Sequence, residues 1–287
     1  MKILKIKEGT KKIDSYQYKD RKDIEELIIA DTVEEIGECA FFRCSNLKKI
    51  TWGKHVHTIG YSAFFGCLSL NSLHLPNSIK YVGSCAFEFC NGLTYVEFED
   101  NDEVVIGNSA FAYCSRLIYA ILPIGLKHIY AETFYACSKL EDVFIPETVT
   151  SIGERAFYRC EALVSVSLPS SLKTIPDEAF RYCDHLPTLQ LPNSLISIGT
   201  YAFNGCYRLS SIEIPNTVNT IGLGAFSQTG IVSITLPSSL KTIEKSLFNF
   251  CLSLESVTIP SGVTKIGDGA FANCKRLKAV SLPSTVV

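Results

Sequence analysis

The amino-acid sequence predicts a solenoid, in which copies of one short segment stack on each other as the turns of a coil. Three observations lead to this prediction. A phenylalanine recurs eleven times at steps of 23 residues, with one step of 24 and one of 22. Within each step, one stretch alternates apolar and polar residues, and proline and glycine keep fixed places. A single copy of this kind cannot bury its own apolar side, so stability comes from stacking the copies.

The repeat covers nearly the whole chain. Its phenylalanine position is occupied by Phe41, Phe64, Phe87, Phe111, Phe134, Phe157, Phe180, Phe203, Phe226, Phe248 and Phe271. An earlier, degenerate copy has Tyr18 in register with Phe41. We therefore predict one domain over residues 1–287. A degenerate capping copy occupies 1–29, and eleven copies of 22–24 residues occupy 30–287, the last of them incomplete.

The first element of each copy is a strand. In "SVTIP", Val257 and Ile259 alternate with polar residues, and this period of two is typical of a half-buried strand. Proline follows the strand in nine copies, from Pro76 to Pro283. Because proline lacks an N–H group, it ends the strand's hydrogen-bonded ladder and favours a corner.

The second and third elements are a bend and a turn. The bend lies at the Ile-Gly pair, as at Gly153, Gly199 and Gly267, where we expect glycine to permit a backbone conformation that other residues resist. The turn is the motif A-F-x-x-C-x-x-L. Its steps of one and three residues predict a short helical or 3₁₀ turn.

The complete unit, L-x-x-I-x-I-P-x-x-V-x-x-I-G-x-x-A-F-x-x-C-x-x-L, resembles the BspA-like class of leucine-rich repeats over nearly all of the chain. The resemblance implies a leucine-rich-repeat solenoid of α/β, β-rich class. It implies a right-handed coil of about 12 repeats, with a parallel sheet on the concave face and short helical or 3₁₀ turns on the convex side. It also implies a binding role, since this class is common on bacterial and protozoan cell surfaces, in adhesion and host contact.

Ten of the twelve cysteines share one position of the copy. They are Cys44, Cys67, Cys90, Cys114, Cys137, Cys160, Cys183, Cys206, Cys251 and Cys274. A repeated position implies a repeated environment, and a small buried apolar slot suits a free thiol. Stacked side chains point the same way, so we expect reduced thiols rather than disulfides. In such a slot, Cys160→Ser should destabilise the fold more than Cys160→Ala, because serine buries a hydroxyl group.

No sequence pattern is typical of a catalytic, metal or cofactor site. The five histidines are scattered over four copies, and no C-x-x-C pair occurs. A G-x-S-x-G motif and a phosphate-binding glycine motif are also absent from the sequence. We therefore predict that the protein is not an enzyme and uses no catalytic residue, metal or cofactor.

Charge and hydropathy bear on partners and location. The net charge of −2 arises from 27 basic and 29 acidic residues, which gives no basic surface for nucleic acid. No apolar run is long enough to insert into a membrane. The start "MKILKIKEGTKKID" lacks the apolar core of a secretion signal. We therefore expect a cytoplasmic protein, or a cell-surface or secreted one if a native targeting segment is missing from this sequence.

Further aromatic residues flank the repeat phenylalanine in most copies. They are Phe42, Phe65, Phe89, Tyr113, Tyr135, Tyr158, Tyr182 and Phe250. They could form a recognition ridge, or they could fill the space between successive turns. We favour the second interpretation, because single exposed apolar residues are normal on protein surfaces.

The strand residues that point away from the core form two columns along the coil. In the middle of the chain these columns hold a predicted ligand-binding set, Tyr95, Glu97, Tyr119, Ile121, Asp142 and Phe144. The matching positions from Ser165 to Ser281 hold no aromatic and no large aliphatic residue. Interface centres are enriched in aromatic residues, and contiguous exposed apolar residues usually mark a binding surface. The alternative is that these apolar residues have drifted there without a function.

The sequence thus predicts a non-catalytic protein-interaction scaffold that binds a protein partner, of unknown identity, on the concave sheet. The alternative is a cell-surface adhesin or host-interaction domain that binds a host protein or glycan. The printed sequence ends in "SLPSTVV", partway through a copy. An uncapped coil exposes apolar surface and an open strand edge, so we expect a continuing native chain or self-association at the C-terminal end.

Overall fold

The computed structural model describes residues 2–286 and shows a parallel-strand β-solenoid of about 11 turns. Two ladders of strands run along the coil. The long-strand ladder contains β1 (Ile3–Lys5), β3 (Glu26–Ile28), β5 (Lys49–Thr51), β7 (Ser72–Leu75), β9 (Tyr95–Phe98), β11 (Tyr119–Ile121), β13 (Asp142–Phe144), β15 (Ser165–Val166), β19 (Ser233–Thr235) and β21 (Ser256–Thr258). The short-strand ladder contains β2 (Lys12–Ile13), β4 (Glu35–Ile36), β6 (Thr58–Ile59), β8 (Tyr81–Val82), β10 (Val105–Ile106), β12 (His128–Ile129), β14 (Ser151–Ile152), β16 (Thr174–Ile175), β17 (Ser197–Ile198), β18 (Thr220–Ile221), β20 (Thr242–Ile243) and β22 (Lys265–Ile266).

Neighbouring strands in each ladder are parallel and one copy apart. In the long-strand ladder, Ala120 lies beside Val96 on one side and Val143 on the other. Strands β7, β9, β11, β13 and β15 form one uninterrupted five-stranded sheet. Further along, this ladder is reduced to the isolated bridge Thr188–Ser211 and the pair β19–β21. The predicted strand is therefore present in most copies, whereas residues 188–191 and 211–214 keep only the isolated bridge and residues 279–282 form no strand. The segment predicted as a bend carries a second, two-residue strand.

The core is organised around the repeat phenylalanines. Their rings stack from one copy to the next in a continuous column, with centroids 5.1–5.9 Å apart and planes within 12° of parallel. Tyr18 of the degenerate copy extends the column, with its ring 5.3 Å from that of Phe41. Offset stacking of this kind adds to the stabilisation from burial. Identical side chains in identical places thus link all the copies into one core.

The predicted helical or 3₁₀ turns are wrong, because no residue of 2–286 lies in a helix of either kind. The A-F segment is a series of hydrogen-bonded turns. The Phe41 N–H donates to the carbonyl of Ala63 in the next copy at 2.7 Å, whereas the Cys44 N–H donates back to Phe41 at 3.1 Å. The residues two before and two after the phenylalanine, such as Cys39 and Arg43, adopt a left-handed conformation, with φ between 48° and 79° over all copies. Since bonds to the next copy alternate with local ones, the chain cannot wind into a helix.

The role expected for the Ile-Gly glycine is also corrected. Gly153, Gly199 and Gly267 are not among the residues with positive φ. The Gly153 N–H donates to the carbonyl of Ile129 in the preceding copy at 2.7 Å. A Cβ atom added to Gly153 would lie 2.4 Å from the backbone nitrogen of Ala131. Glycine is therefore required by the close approach of two backbones, and not by a special conformation.

Among the described residues, the short-strand ladder is interrupted between β10 and β12, between β14 and β16, and between β18 and β20. The strand after each interruption is followed by a residue other than glycine, namely Tyr130, Pro176 or Glu244. Within residues 2–286, none of these three donates the N–H bond that glycine makes at this position. A Cβ atom keeps the backbones apart, and proline also lacks the donor. The identity of this one residue thus decides whether the ladder continues.

All twelve cysteines lie in the described part of the chain and are free thiols. The ten that share a position are buried except Cys274, which is half-buried. Each thiol donates to a backbone carbonyl of the preceding copy at 3.0–3.5 Å, as Cys160 does to Phe134. The slot is therefore small and buried, as predicted, but it contains a hydrogen-bond acceptor.

The flanking aromatic residues stack on each other along the outside of the turns. Ring centroids are 4.8 Å apart for Phe42 and Phe65 and 4.5 Å apart for Phe89 and Tyr113. Alternate pairs stack in this way, whereas the pairs between them are tilted or edge-on, as Phe65 and Phe89 are at 58°. These ring contacts support the space-filling interpretation. Separately, residues 2–286 contain no helix with the length and apolar character needed to cross a bilayer.

Candidate functional site

The six residues predicted to bind a ligand lie on three adjacent strands, β9, β11 and β13. Tyr119 has Tyr95 and Asp142 as its partners in the ladder, and Ile121 has Glu97 and Phe144. The six side chains therefore form a grid of two columns by three strands. We call this grid the central patch: Tyr95, Glu97, Tyr119, Ile121, Asp142 and Phe144.

The central patch points away from the core. Along β11 and β13, burial alternates, so that Ala120 and Val143 are buried while the residues beside them are exposed. The exposed fraction is 53% for Phe144, 47% for Tyr119 and 37% for Ile121. While these large apolar side chains are exposed to water, the fold does not gain the stabilisation that their burial would give. Truncating them would leave the core intact.

Polar contacts are confined to one edge of the patch. The His74 Nδ1 and Glu97 Oε2 atoms are 2.9 Å apart, and the His74 ring centroid lies 5.8 Å from that of Tyr95. Partial burial raises the pKa of the Tyr95 hydroxyl, and the nearby Glu97 carboxylate raises it further. Asp142, on the opposite edge, forms no ion pair with any residue of 2–286.

The position of the patch in the ladder is also distinctive. It occupies the three central strands of the five-stranded sheet β7–β15. In this stretch the backbone of every strand is bonded on both sides, except at the two outer strands. Side chains there are held at regular spacings of about 4.8 Å between strands. The residues of the central patch thus lie in the most regular part of the long-strand ladder.

Charge compensation differs between the patch and the N-terminal copies. In the N-terminal copies, lysines pair with carboxylates of neighbouring copies, as in Lys12–Glu35 at 2.8 Å and Lys48–Glu25 at 2.8 Å. Residues 72–147 carry ten acidic and four basic side chains, a net charge of −6 in a chain of net charge −2. Within the described residues, Asp100, Asp102, Glu103 and Glu141 are exposed and form no ion pair. These acidic residues were missed in the sequence analysis, although counting charge by region would have found them.

Two recesses lie elsewhere on the surface. One of about 560 Å³ is open and lies between Tyr130 and Pro176, where the short-strand ladder is interrupted. Its wall carries His128 and Ser151, whose Nδ1 and Oγ atoms are 2.8 Å apart. Within residues 2–286, this His128 has no hydrogen bond to a carboxylate.

The second recess, of about 400 Å³, is lined by Tyr207, Gly230 and Leu252, among others. It lies in the copy between Phe226 and Phe248, which is one residue shorter than the usual copy and has Gly230 where most other copies carry a larger side chain. No cluster of three or more His, Cys, Asp or Glu side chains within residues 2–286 is arranged to hold a metal ion.

Comparison with known proteins identifies the repeat. The family model described as BspA type leucine-rich repeat region (6 copies) matches residues 11–137, 104–229 and 173–287. Among solved structures, a leucine-rich repeat protein from Bacteroides ovatus is similar to the chain, with 27% identity and a TM-score of 0.71. That alignment covers 99% of this chain and 87% of the other.

Two further solved structures are similar. A leucine-rich cell surface protein from Faecalibacterium prausnitzii is 25% identical with a TM-score of 0.57, over 97% of this chain and 78% of the other. A leucine-rich repeat protein from Treponema pallidum is 34% identical with a TM-score of 0.54, over 56% of this chain and 78% of the other. No curated protein sequence matches significantly.

Proposed function

Because the chain belongs to the BspA-type leucine-rich repeat family, we propose that it is a non-catalytic scaffold that binds a protein partner through the central patch. Solenoids of this kind typically serve as protein-interaction scaffolds, since stacking gives them a long continuous surface. In this proposal the partner binds the face formed by the long-strand ladder. The family resemblance implies that this face is concave. Neither recess contributes to the proposal.

The observation that carries the proposal is a contrast along one face. Tyr119, Ile121 and Phe144 are large, apolar and exposed on neighbouring strands. The same outward positions from Ser165 onwards hold mainly serine and threonine, without aromatic residues. Exposed apolar residues that cluster on adjacent strands mark interaction sites more often than scattered ones do. The strands of the surrounding sheet are paired in register, so we expect little ordering on binding.

The test is to capture partners with the wild-type chain and with Tyr119→Ala and Phe144→Ala, and then to measure the affinity of each purified partner. Hot-spot truncation typically costs about 1–3 kcal/mol, or roughly 5-fold to 150-fold in Kd. The melting temperature should stay unchanged, because both side chains point outward. Gln190→Ala, on the same face but outside the patch, is the control. Equal affinities for all three variants would place the site elsewhere.

A second candidate is a cell-surface adhesin whose ligand is a host protein or a glycan. It is favoured by the similarity to the Faecalibacterium protein, which is described as a cell surface protein. Surface labelling of intact cells that express the full gene tests this candidate. Labelling confined to lysed cells would contradict it and leave the scaffold proposal standing.

A further inference from the structure

The two acidic residues of the central patch occupy opposite corners of its grid. Glu97 lies on β9 in the column of Ile121, and Asp142 lies on β13 in the column of Tyr119. Strands are about 4.8 Å apart and alternate residues about 6.6 Å apart, so these two positions are separated by about 12 Å. The other two corners are Tyr95 and Phe144. One diagonal is therefore acidic and the other aromatic.

Among the described residues, no lysine or arginine forms an ion pair with either of these two carboxylates. Between Ser72 and Ser167 the two outward columns contain no lysine or arginine. Asp142 has no ion-pair partner in residues 2–286, and the Glu97 carboxylate lies beside the His74 imidazole and the Tyr95 hydroxyl, neither of which is a lysine or arginine. In the N-terminal copies, by contrast, lysines sit opposite carboxylates, as Lys54 does for Asp31 at 2.6 Å. The patch is thus an apolar surface with two available negative charges.

We propose that the partner contributes an extended segment in which one large apolar residue is flanked, two residues away on each side, by lysine or arginine. This inference rests on the proposed function. In an extended chain, side chains four residues apart point the same way and lie about 13 Å apart, which matches the acidic diagonal. The apolar residue between them falls over Tyr119 and Ile121, with Tyr95 and Phe144 on either side.

The segment comes from another protein and not from a second copy of this chain. The spacing of two basic residues around an apolar one occurs here at Arg155–Arg159 and Lys241–Lys245. The central residues of these two stretches, Phe157 and Ile243, are fully buried in the core. Neither stretch is therefore available to dock on the central patch of a second molecule.

A displayed library of random heptapeptides tests the inference and separates it from the proposed function. The library is selected on the wild-type chain and depleted on the Tyr119→Ala/Phe144→Ala variant. Enriched peptides should carry basic residues four apart around an aromatic or large aliphatic one. If no patch-dependent peptide is recovered, the proposed function fails together with the inference. Patch-dependent peptides without the two basic residues would overturn the inference alone.

Synthetic peptides then measure the charge effect. The peptide SKTFTKS should bind at least tenfold more tightly than SETFTES, and severalfold more tightly than KKSFTTS, which has the same composition. Glu97→Gln and Asp142→Asn should each weaken SKTFTKS about threefold to tenfold, and added salt should slow its association. The control is Glu213→Gln. Glu213 lies in the same outward column as Glu97 and Ile121, four copies beyond β11 and outside the central patch. Equal binding of SKTFTKS and KKSFTTS would show that the diagonal spacing is not recognised.

Discussion

The repeat cysteine has an environment that its sequence position only partly describes. Burial is confirmed, with Cys160 fully enclosed. Its thiol, however, donates to the Phe134 carbonyl at 3.2 Å. In the copy where Thr229 replaces cysteine, the hydroxyl donates to a different acceptor, the Phe226 carbonyl of its own copy, at 2.8 Å. A hydroxyl group thus already finds an acceptor at this position of the coil, which an apolar slot would not provide.

The expected order of the two Cys160 variants is therefore reversed. Cys160→Ser should cost at most about 1 kcal/mol, since its hydroxyl can take over the bond to Phe134. Cys160→Ala should cost about 1–2 kcal/mol, because it removes the bond and leaves a small void. Urea unfolding midpoints measure both variants. If the serine variant is clearly less stable than the alanine variant, the result would contradict this prediction and support a purely apolar slot.

The buried thiols should also make the protein unstable in alkali. Burial raises the pKa of Cys67, Cys90 and Cys114 well above the ordinary value. Thiols of the unfolded chain ionise near pH 8.5, whereas the buried thiols of the folded chain stay protonated. The free energy of unfolding is therefore unaffected by these thiols below about pH 8.5 and falls as the pH rises towards their folded pKa values. Each buried thiol then subtracts about 1.4 kcal/mol per pH unit. Unfolding midpoints at pH 7.5, 9 and 10 measure this loss.

A variant with fewer thiols provides the control for alkaline unfolding. Replacing Cys137, Cys160 and Cys183 together by serine removes three of the groups that take part in this linkage. The fall in stability between pH 9 and 10 should then be less steep than in the wild type. The same steepness in both proteins would assign the effect to other groups, such as the tyrosines.

At the level of the secondary-structure element, the short-strand ladder depends on glycine. A Cβ atom at Gly153 would meet backbone atoms 2.4–2.7 Å away, and backbone cannot move aside as a flexible side chain can. At Gly262, by contrast, the nearest atom to an added Cβ is the end of the Lys241 side chain, at 3.1 Å. A Cβ atom at Gly153 would therefore clash with rigidly placed backbone, whereas one at Gly262 would meet only a side chain that can move.

Gly153→Ala should therefore destabilise the fold by about 1–3 kcal/mol, as overpacking does, whereas Gly262→Ala should be nearly neutral. Thermal unfolding of the two variants measures the difference. Equal melting temperatures would show that the copies can separate at Gly153 without loss of stability.

Backbone exchange should reveal the interruptions of the same ladder. The amides of Gly107 and Gly153 donate to the preceding copy at 2.8 and 2.7 Å, and should exchange slowly. Those of Tyr130 and Glu244 lack this bond and should exchange quickly. Hydrogen exchange followed by NMR resolves these four amides. Slow exchange at Tyr130 and Glu244 would mean that the ladder is continuous there.

On the scale of the whole molecule, burial of the repeat residues declines in the last described copy. Phe248, Cys251 and Leu254 are fully buried, whereas Phe271, Cys274 and Leu277 at the same positions of the next copy are half-buried. In a solenoid each copy is stabilised mainly by its neighbours. Amides of residues 265–286 should therefore exchange faster than those of residues 140–230. Uniform exchange along the chain would contradict this, and self-association at this end remains a prediction.

Much of the fold could be predicted because a repeat imposes one environment on each position. The 23-residue period fixes which residues stack, so the phenylalanine column and the cysteine column both follow from sequence alone. Alternation along the strand assigns Ala120 to the core and Tyr119 to the surface, as the structure shows. The members of the central patch were identified in the same way, although their binding role is still a proposal. Local periodicity is sufficient for these conclusions, because it records which side of each element is buried.

Features that depend on distances between copies could be learned only from the tertiary structure. Steps of one and three residues suit a helix as well as the observed turns, and only the hydrogen bonds to the next copy distinguish them. The need for glycine at Gly153 arises from backbone atoms of a neighbouring copy. Likewise, Glu97 and Asp142 are 45 residues apart in sequence, and form one diagonal only because the register of β9, β11 and β13 sets them there. Sequence patterns are local, whereas these contacts are fixed by how closely successive turns pack.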